Sequence, residues 1–154
     1  MTASPELKTK FVFEASLNLG PTIDLGPGLL GRRRMVPILS GTIIGPKMRA
    51  VALPGTDWQT VGADNVTLIE AQYAMRTEDG VTIRIVNKGF RRGPAEVMQR
   101  LAAGEAVDPS EYYMRAAPVF DAPSGPYEWL NSSLFVSSGA RSADHLILRF
   151  YEVL

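Results

Sequence analysis

Hydrophobic and polar residues alternate along most of this chain, and glycine or proline interrupts the alternation roughly every eight to a dozen residues. A period of two puts successive side chains on opposite faces of a sheet, so the rhythm predicts an antiparallel all-β protein. KFVFEASLNLG predicts a strand with Phe11, Phe13, Ala15 and Leu17 on one face and Val12, Glu14, Ser16 and Asn18 on the other. PTIDLGPGLLGRRR reads as a Gly/Pro-rich loop, and MVPILSGTIIGPKMRAVALPG as two short strands joined by a turn at Gly45 and Pro46. A single segment reads clearly as helix: GPAEVMQRLAAGE opens on proline, spaces Val97, Met98, Leu101 and Ala102 helically, and stops at glycine. A shorter helical turn is expected at PYEWLN. Many strands with one short α-helix predict a closed barrel, because closure removes the exposed edges that a lone sheet must defend.

The hairpin NVTLIEAQYAMRTEDGVTIRIVNKGF has a register that alternation can decide. If Asp79 and Gly80 alone form the loop, Gln72 faces Asn87 and both faces mix polar with apolar residues. A type I turn over Glu78, Asp79 and Gly80 with a glycine bulge instead pairs Thr77 with Val81. One face then carries Ile69, Ala71, Tyr73, Met75, Val81, Ile83, Ile85 and Asn87; the other carries Glu70, Gln72, Arg76, Thr82, Arg84 and Lys88. The second register is expected, since a slip by one residue would bury the charges.

A length of 154 residues suits one domain, here a barrel over 1–154 with residues 1–8 expected to be a flexible N-terminus. Sixteen basic residues balance sixteen acidic ones, which gives no field to recruit nucleic acid. The expected partners are a small organic molecule and a second copy of the chain in a homodimer. Without cysteine there are no disulfides, thiolate metal sites or thiol nucleophiles. MTASPELKTK lacks an apolar signal core and no run is long enough to span a bilayer, so a cytoplasmic protein without a membrane partner is expected.

Candidate chemistry begins on the inward hairpin face, where Tyr73 and Asn87 interrupt an apolar wall. Mainly apolar pockets with a few convergent polar groups are the usual form of a small-molecule site. Equally, the Tyr73 hydroxyl can bond a backbone carbonyl and Asn87 can cap the strand end. In EYYMRAAPVFD, alternation puts Arg115 outside, unless Pro118 marks a bulge that rephases the strand. With Tyr113 it would then offer a cation and a phenol to an anionic or carbonyl ligand. Trp129 and Asn131 lie close together with Tyr127 on the PYEWLN turn, either plugging a barrel end or touching ligand. His145 has no second histidine or cysteine and makes a poor metal ligand, so neither a metal nor a cofactor is expected. No glycine-rich stretch has phosphate-loop or dinucleotide spacing, and no serine has an evident orienting base.

Asp57 is the carboxylate with unusual surroundings. In PGTDWQTV, Pro54 and Gly55 predict a turn, Asp57 an Asx turn, and Trp58 a cover over the barrel mouth. Shielded by the indole, the same carboxylate would resist ionisation and serve as general acid or base, with Tyr73, Asn87 and Arg115 polarising a carbonyl opposite it.

Taken in order, GRRRMVPILSGTIIGP, LPGTDW, YAMRTEDG, YYMRAAPVFD and YEWLNSSLFVSSGAR resemble a family of small bacterial and fungal proteins catalogued as a domain of unknown function. The resemblance runs from about Phe11 to Leu154 and implies a lipocalin-like (calycin-like) antiparallel β-barrel with a central pocket, but no settled activity. Where that family usually has an aspartate and an arginine before the hairpin tyrosine, this chain has Glu70 and Gln72. The turn before Asp57 is one residue shorter, with Thr56 where alanine is common. The functional expectation is cofactor-independent acid/base chemistry (isomerase, cyclase, dehydratase or lactone hydrolase) on an aromatic or polyketide-like substrate. A non-catalytic carrier is the alternative, and a structural role in assembly a third. Asp57 and Tyr73 are the candidate catalytic residues; Trp58, Asn87, Tyr113, Arg115, Trp129 and Asn131 are the candidate substrate contacts.

Overall fold

The computed structural model describes residues 2–154. In chain order these form β1 (Thr9–Leu19), β2 (Ile23–Gly28), β3 (Gly31–Ile44), β4 (Arg49–Ala52), β5 (Gly55–Val61), β6 (Thr67–Thr77), β7 (Thr82–Arg92), α1 (Ala95–Ala102), β8 (Tyr113–Asp121), β9 (Phe135–Arg141) and β10 (His145–Val153). Neighbours along β6–β7–β8–β9–β10–β1–β3 pair antiparallel. Between β3 and β6, β4 and β5 share one position, each pairing with both. The result is a closed antiparallel barrel of eight strand positions with a single short α-helix, the all-β architecture that alternation predicts.

Two segments differ from expectation. The supposed Gly/Pro-rich loop contains β2, which pairs only with β3 and so lies off the closed barrel. Lacking a second neighbour, β2 buries nothing, and its exposed sequence gives no alternation to read. The supposed turn at Asp57 is a full strand: Pro54 ends the pairing of β4, and β5 pairs with β3 and β6 along its length. No strand covers residues 2–8, and Met1, part of the expected flexible terminus, lies outside the described residues. No described helix is long and apolar enough to cross a membrane.

The hairpin of β6 and β7 takes the bulged register, with Tyr73 opposite Ile85 and Met75 opposite Ile83. At its turn, the Thr77 N–H donates to the Val81 carbonyl at 2.9 Å, and Gly80 takes φ +85°. Tyr73, Met75, Ile83 and Ile85 are buried in the barrel, while Gln72, Arg84 and Lys88 are exposed outside.

The lumen has two unlike halves. Toward the β6–β7 turn it is filled by Phe13, Phe120, Phe135 and Phe150, whose ring centroids lie 4.7–6.2 Å apart. Toward the start of β6 and the end of β7 the inward side chains turn polar, and α1 lies across that end. The candidate site is in this half.

Candidate functional site: a buried carboxylate below an arginine-lined mouth

Barrel pairing sets the site out in rungs. In the deepest, Val36, Asp57, Ala71 and Asn87 are successive partners across β3, β5, β6 and β7. One step outward, Arg34 pairs with Gln59 and Gln59 with Ile69. The next brings Val61, Thr67 and Arg91 together. Because inward positions recur every second residue, Asp57 with Gln59, and Asn87 with Arg91, face the same lumen.

Asp57 is 4% exposed. Its Oδ2 accepts from Gln59 Nε2 at 2.7 Å, and Gln59 Oε1 accepts from Arg34 at 3.0 Å, a chain of bonds that leads outward from the carboxylate. Oδ1 is buried with no partner. Burial pushes the Asp57 pKa above its ordinary value, while the Gln59 bond, the positive charges of Arg91 and Arg141 and the nearby backbone N–H of Glu70, which falls short of a formed hydrogen bond to Oδ1, oppose the rise. Beside Asp57 is a void of about 20 Å³ whose wall includes Asn87, Ser137, Leu17, Met114 and Leu148. That is room for about one water or a substituent of similar size. Asn87 Nδ2 reaches Ser137 Oγ at 3.4 Å, and its Oδ1 is buried without a partner.

Further out along the barrel, with no lining residue in common with this void, is a cavity of about 550 Å³ bounded by Arg34, Gln59, Arg91 and Arg141 on the barrel side and by Met98 and Leu101 of α1. Arg91 is only 8% exposed, and its Nη1 has no partner. Burial, together with the like charges of Arg141 and Arg34, pulls its pKa down to about 10. Burial also lowers Arg34 and Arg141. The Tyr112 hydroxyl accepts the backbone N–H of Arg141 at 2.9 Å and fixes the strand end that carries it. The arrangement offers a proton-accepting carboxylate at depth and concentrated positive charge at the entrance.

Residues 7–153 match the family described as Protein of unknown function (DUF3237). The chain belongs to the DUF3237 family. A conserved protein of unknown function from Rhodopseudomonas palustris has a solved structure that is 38% identical, with TM-score 0.95 over 98% of this chain and 100% of its own. A beta-barrel like protein from Acinetobacter baumannii is 32% identical, with TM-score 0.87 over 100% of both chains. A protein from Penicillium herquei described as an enzyme is 21% identical, with TM-score 0.75 over 100% of both; at that identity the likeness is one of fold.

Of the candidate residues, the DUF3237 barrel brings Asp57 and Asn87 together at the void, which Arg115 also borders although that residue is exposed. Tyr73 faces the lumen, but it sits toward the aromatic half and borders neither the void nor the mouth cavity. Its burial holds the phenol neutral, with the pKa raised well above the ordinary value. Trp58 does not cover the mouth. Alternation within β5 turns it outward, 42% exposed, beside Leu68 and Phe90 on the outer surface, so no indole shields Asp57.

Tyr113 and Arg115 likewise project outward, since β8 runs through Pro118 without rephasing. The Arg115 guanidinium lies 5.4 Å from the centre of the Tyr113 ring and donates to the Met114 carbonyl. Trp129 packs beside Phe135 in the aromatic half, under the Lys47 ammonium. Asn131 spends both ends of its amide on the backbone of Ala122. Both therefore belong to the closed end. His145 bonds the Ser16 hydroxyl at 2.8 Å.

Gln59, Arg34, Arg91, Arg141 and Tyr112 escaped sequence reading. Phase could have found two of them, since Arg34 precedes inward Val36 and Ile38, and Arg91 follows inward Asn87, by steps of two. RRR and RR look like solvated charge runs because only one residue of each turns inward.

Proposed function

We propose that this barrel takes a small organic molecule into its mouth cavity and transfers a proton on it with Asp57, without a cofactor. The observation that carries this reading is the buried, unpartnered Oδ1 of Asp57 beside a void sized for one small group. A carboxylate whose pKa is raised by burial is a better base toward carbon or oxygen acids than an exposed one. On this reading the ligand's body occupies the 550 Å³ cavity, and the Gln59 side chain, which bonds both Asp57 and Arg34, swings aside to admit the reacting group to the void. There Oδ1 accepts a proton from the atom next to a carbonyl, the electrons move onto the carbonyl oxygen, and the Asn87 Nδ2 group on the wall of the void donates to the enolate oxygen. Returning the proton to another carbon isomerises the substrate; returning it to a leaving oxygen dehydrates it or opens a lactone. An aromatic or polyketide-like molecule with adjacent carbonyls and acidic C–H groups suits such a sequence.

Acetoacetate carries both features and serves as a probe. By proton NMR in D₂O, the wild-type protein accelerates exchange of its methylene protons, and Asp57→Asn lowers that acceleration by about 10²-fold or more. Saturable acetoacetate binding with no acceleration in the wild type would favour the carrier reading, which the apolar walls of the void also suit.

A further inference from the structure

We infer that Arg34, Arg91 and Arg141 form a carboxylate subsite at the barrel mouth, so that the natural ligand is a small organic anion with an apolar body. The inference names the ligand class for the mouth cavity and rests on that cavity being the ligand site; it does not require Asp57 to be catalytic.

Three observations converge. The first is unbalanced charge. Three guanidinium groups border one cavity, and among the described residues none of them forms an ion pair. Asp57 is the one carboxylate whose charge acts on all three, and burial draws it toward its neutral form. Even with Asp57 ionised, the mouth carries a net excess of two positive charges, in a place where water is partly excluded.

The second is unspent hydrogen-bonding capacity. Arg91 Nη1 and Arg34 Nε are buried without partners, although leaving a buried charged donor unsatisfied is costly. A guanidinium offers parallel donors in a planar fork, and a carboxylate is the anion whose two oxygens match that fork. Among the described residues the Arg34 guanidinium bonds only Gln59 Oε1, and the Arg141 guanidinium bonds the Ser142 carbonyl at 2.8 Å, so each retains donors for a ligand.

The third is the facing wall. Met98 and Leu101 of α1 give the cavity an apolar side across from the arginines, and a volume of about 550 Å³ lies within the usual range for small-molecule sites. The C-terminal turn of α1, Ala102 to Gly104, is also on this wall and presents the negative end of the helix dipole, about half an elementary charge. That is too little to neutralise the arginines, and it is the apolar side of the cavity that favours a carboxylate with a hydrophobic body over inorganic phosphate.

Calorimetric titration with benzoate, its neutral analogue benzamide and inorganic phosphate tests the subsite. The wild type binds benzoate at one saturable site, benzamide at least about tenfold more weakly, and phosphate more weakly than benzoate. Arg91→Gln and Arg141→Gln each lose about tenfold or more in benzoate affinity. Should Arg91→Gln fail to fold, the less buried Arg141→Gln and the side-chain N–H resonances of Arg91 in the wild type, which shift on benzoate addition, carry the same test. Asp57→Asn binds benzoate at least as tightly as wild type, because it removes a like charge. Equal affinity for benzoate and benzamide, benzoate binding indifferent to both arginine substitutions, phosphate binding tighter than benzoate, or no saturation would each overturn the subsite. Asp57-dependent acetoacetate exchange that persists without benzoate binding would sink the subsite alone. Benzoate binding with no acetoacetate exchange would sink the catalytic reading alone.

Discussion

In GTDWQTV the inward positions of β5 hold Asp57 and Gln59 while the outward one holds Trp58, the reverse of the usual apolar-in pattern. Proline, glycine and aspartate before a tryptophan suggest a turn with an aromatic cover, whereas Asp57 lies within a strand and Trp58 on its outer face. The buried setting of Asp57 comes from strands distant in sequence. The cost of that setting makes a pH prediction. Burial raises the Asp57 pKa above 3.8, so the fold favours the protonated form, and the corresponding stability is full below the unfolded value and lost as pH rises through the folded one. Asn cannot ionise; the melting temperature of wild type minus that of Asp57→Asn should therefore fall as pH climbs from about 4 through the raised value. A difference that stays level or rises with pH contradicts the assignment. Trp58→Ala, by contrast, should leave acetoacetate exchange and benzoate affinity unchanged, and a loss in either would put the indole back at the site.

Among the elements, the β6–β7 hairpin was legible because both its strands alternate cleanly and only one register segregates charge from core. β2 and β5 were not. β2 has one neighbour, and the inward face of β5 serves a polar mouth, so hydrophobic alternation fails in each for a different physical reason. Glycines at the element junctions separate turn chemistry from packing. Gly80 has φ +85° with nothing within 4 Å of an added Cβ, so Gly80→Ala should cost only the left-handed penalty of about 1–2 kcal/mol. At Gly55 a Cβ would lie 2.3 Å from the Gln72 carbonyl oxygen and 2.5 Å from Tyr73 Cβ, which forces β5 and β6 apart. Urea denaturation should find Gly55→Ala the more destabilised of the two; the opposite order would argue against the close approach of these strands.

At the scale of the whole molecule, one end of the barrel is packed and the other is available for chemistry. Phe150 is fully buried among Phe13 and Phe120, and Phe150→Ala should cost about 3–5 kcal/mol by denaturation while leaving the mouth arginines in place. The barrel followed from alternation and spacing, which are local signals. The mouth did not, because Arg34, Arg91 and Arg141 come from β3, β7 and β9 and meet only when the sheet closes. That closure couples the two parts of the site: the arginine charges hold the Asp57 pKa down against burial, so an anion that neutralises them must raise it. The direct measurement is a carbon-13 NMR titration of the Asp57 carboxyl with and without saturating benzoate. A midpoint above the ordinary 3.8 that moves higher when benzoate is bound is the predicted result. An ordinary midpoint indifferent to benzoate would contradict a buried proton-transfer group beneath an anion-binding mouth.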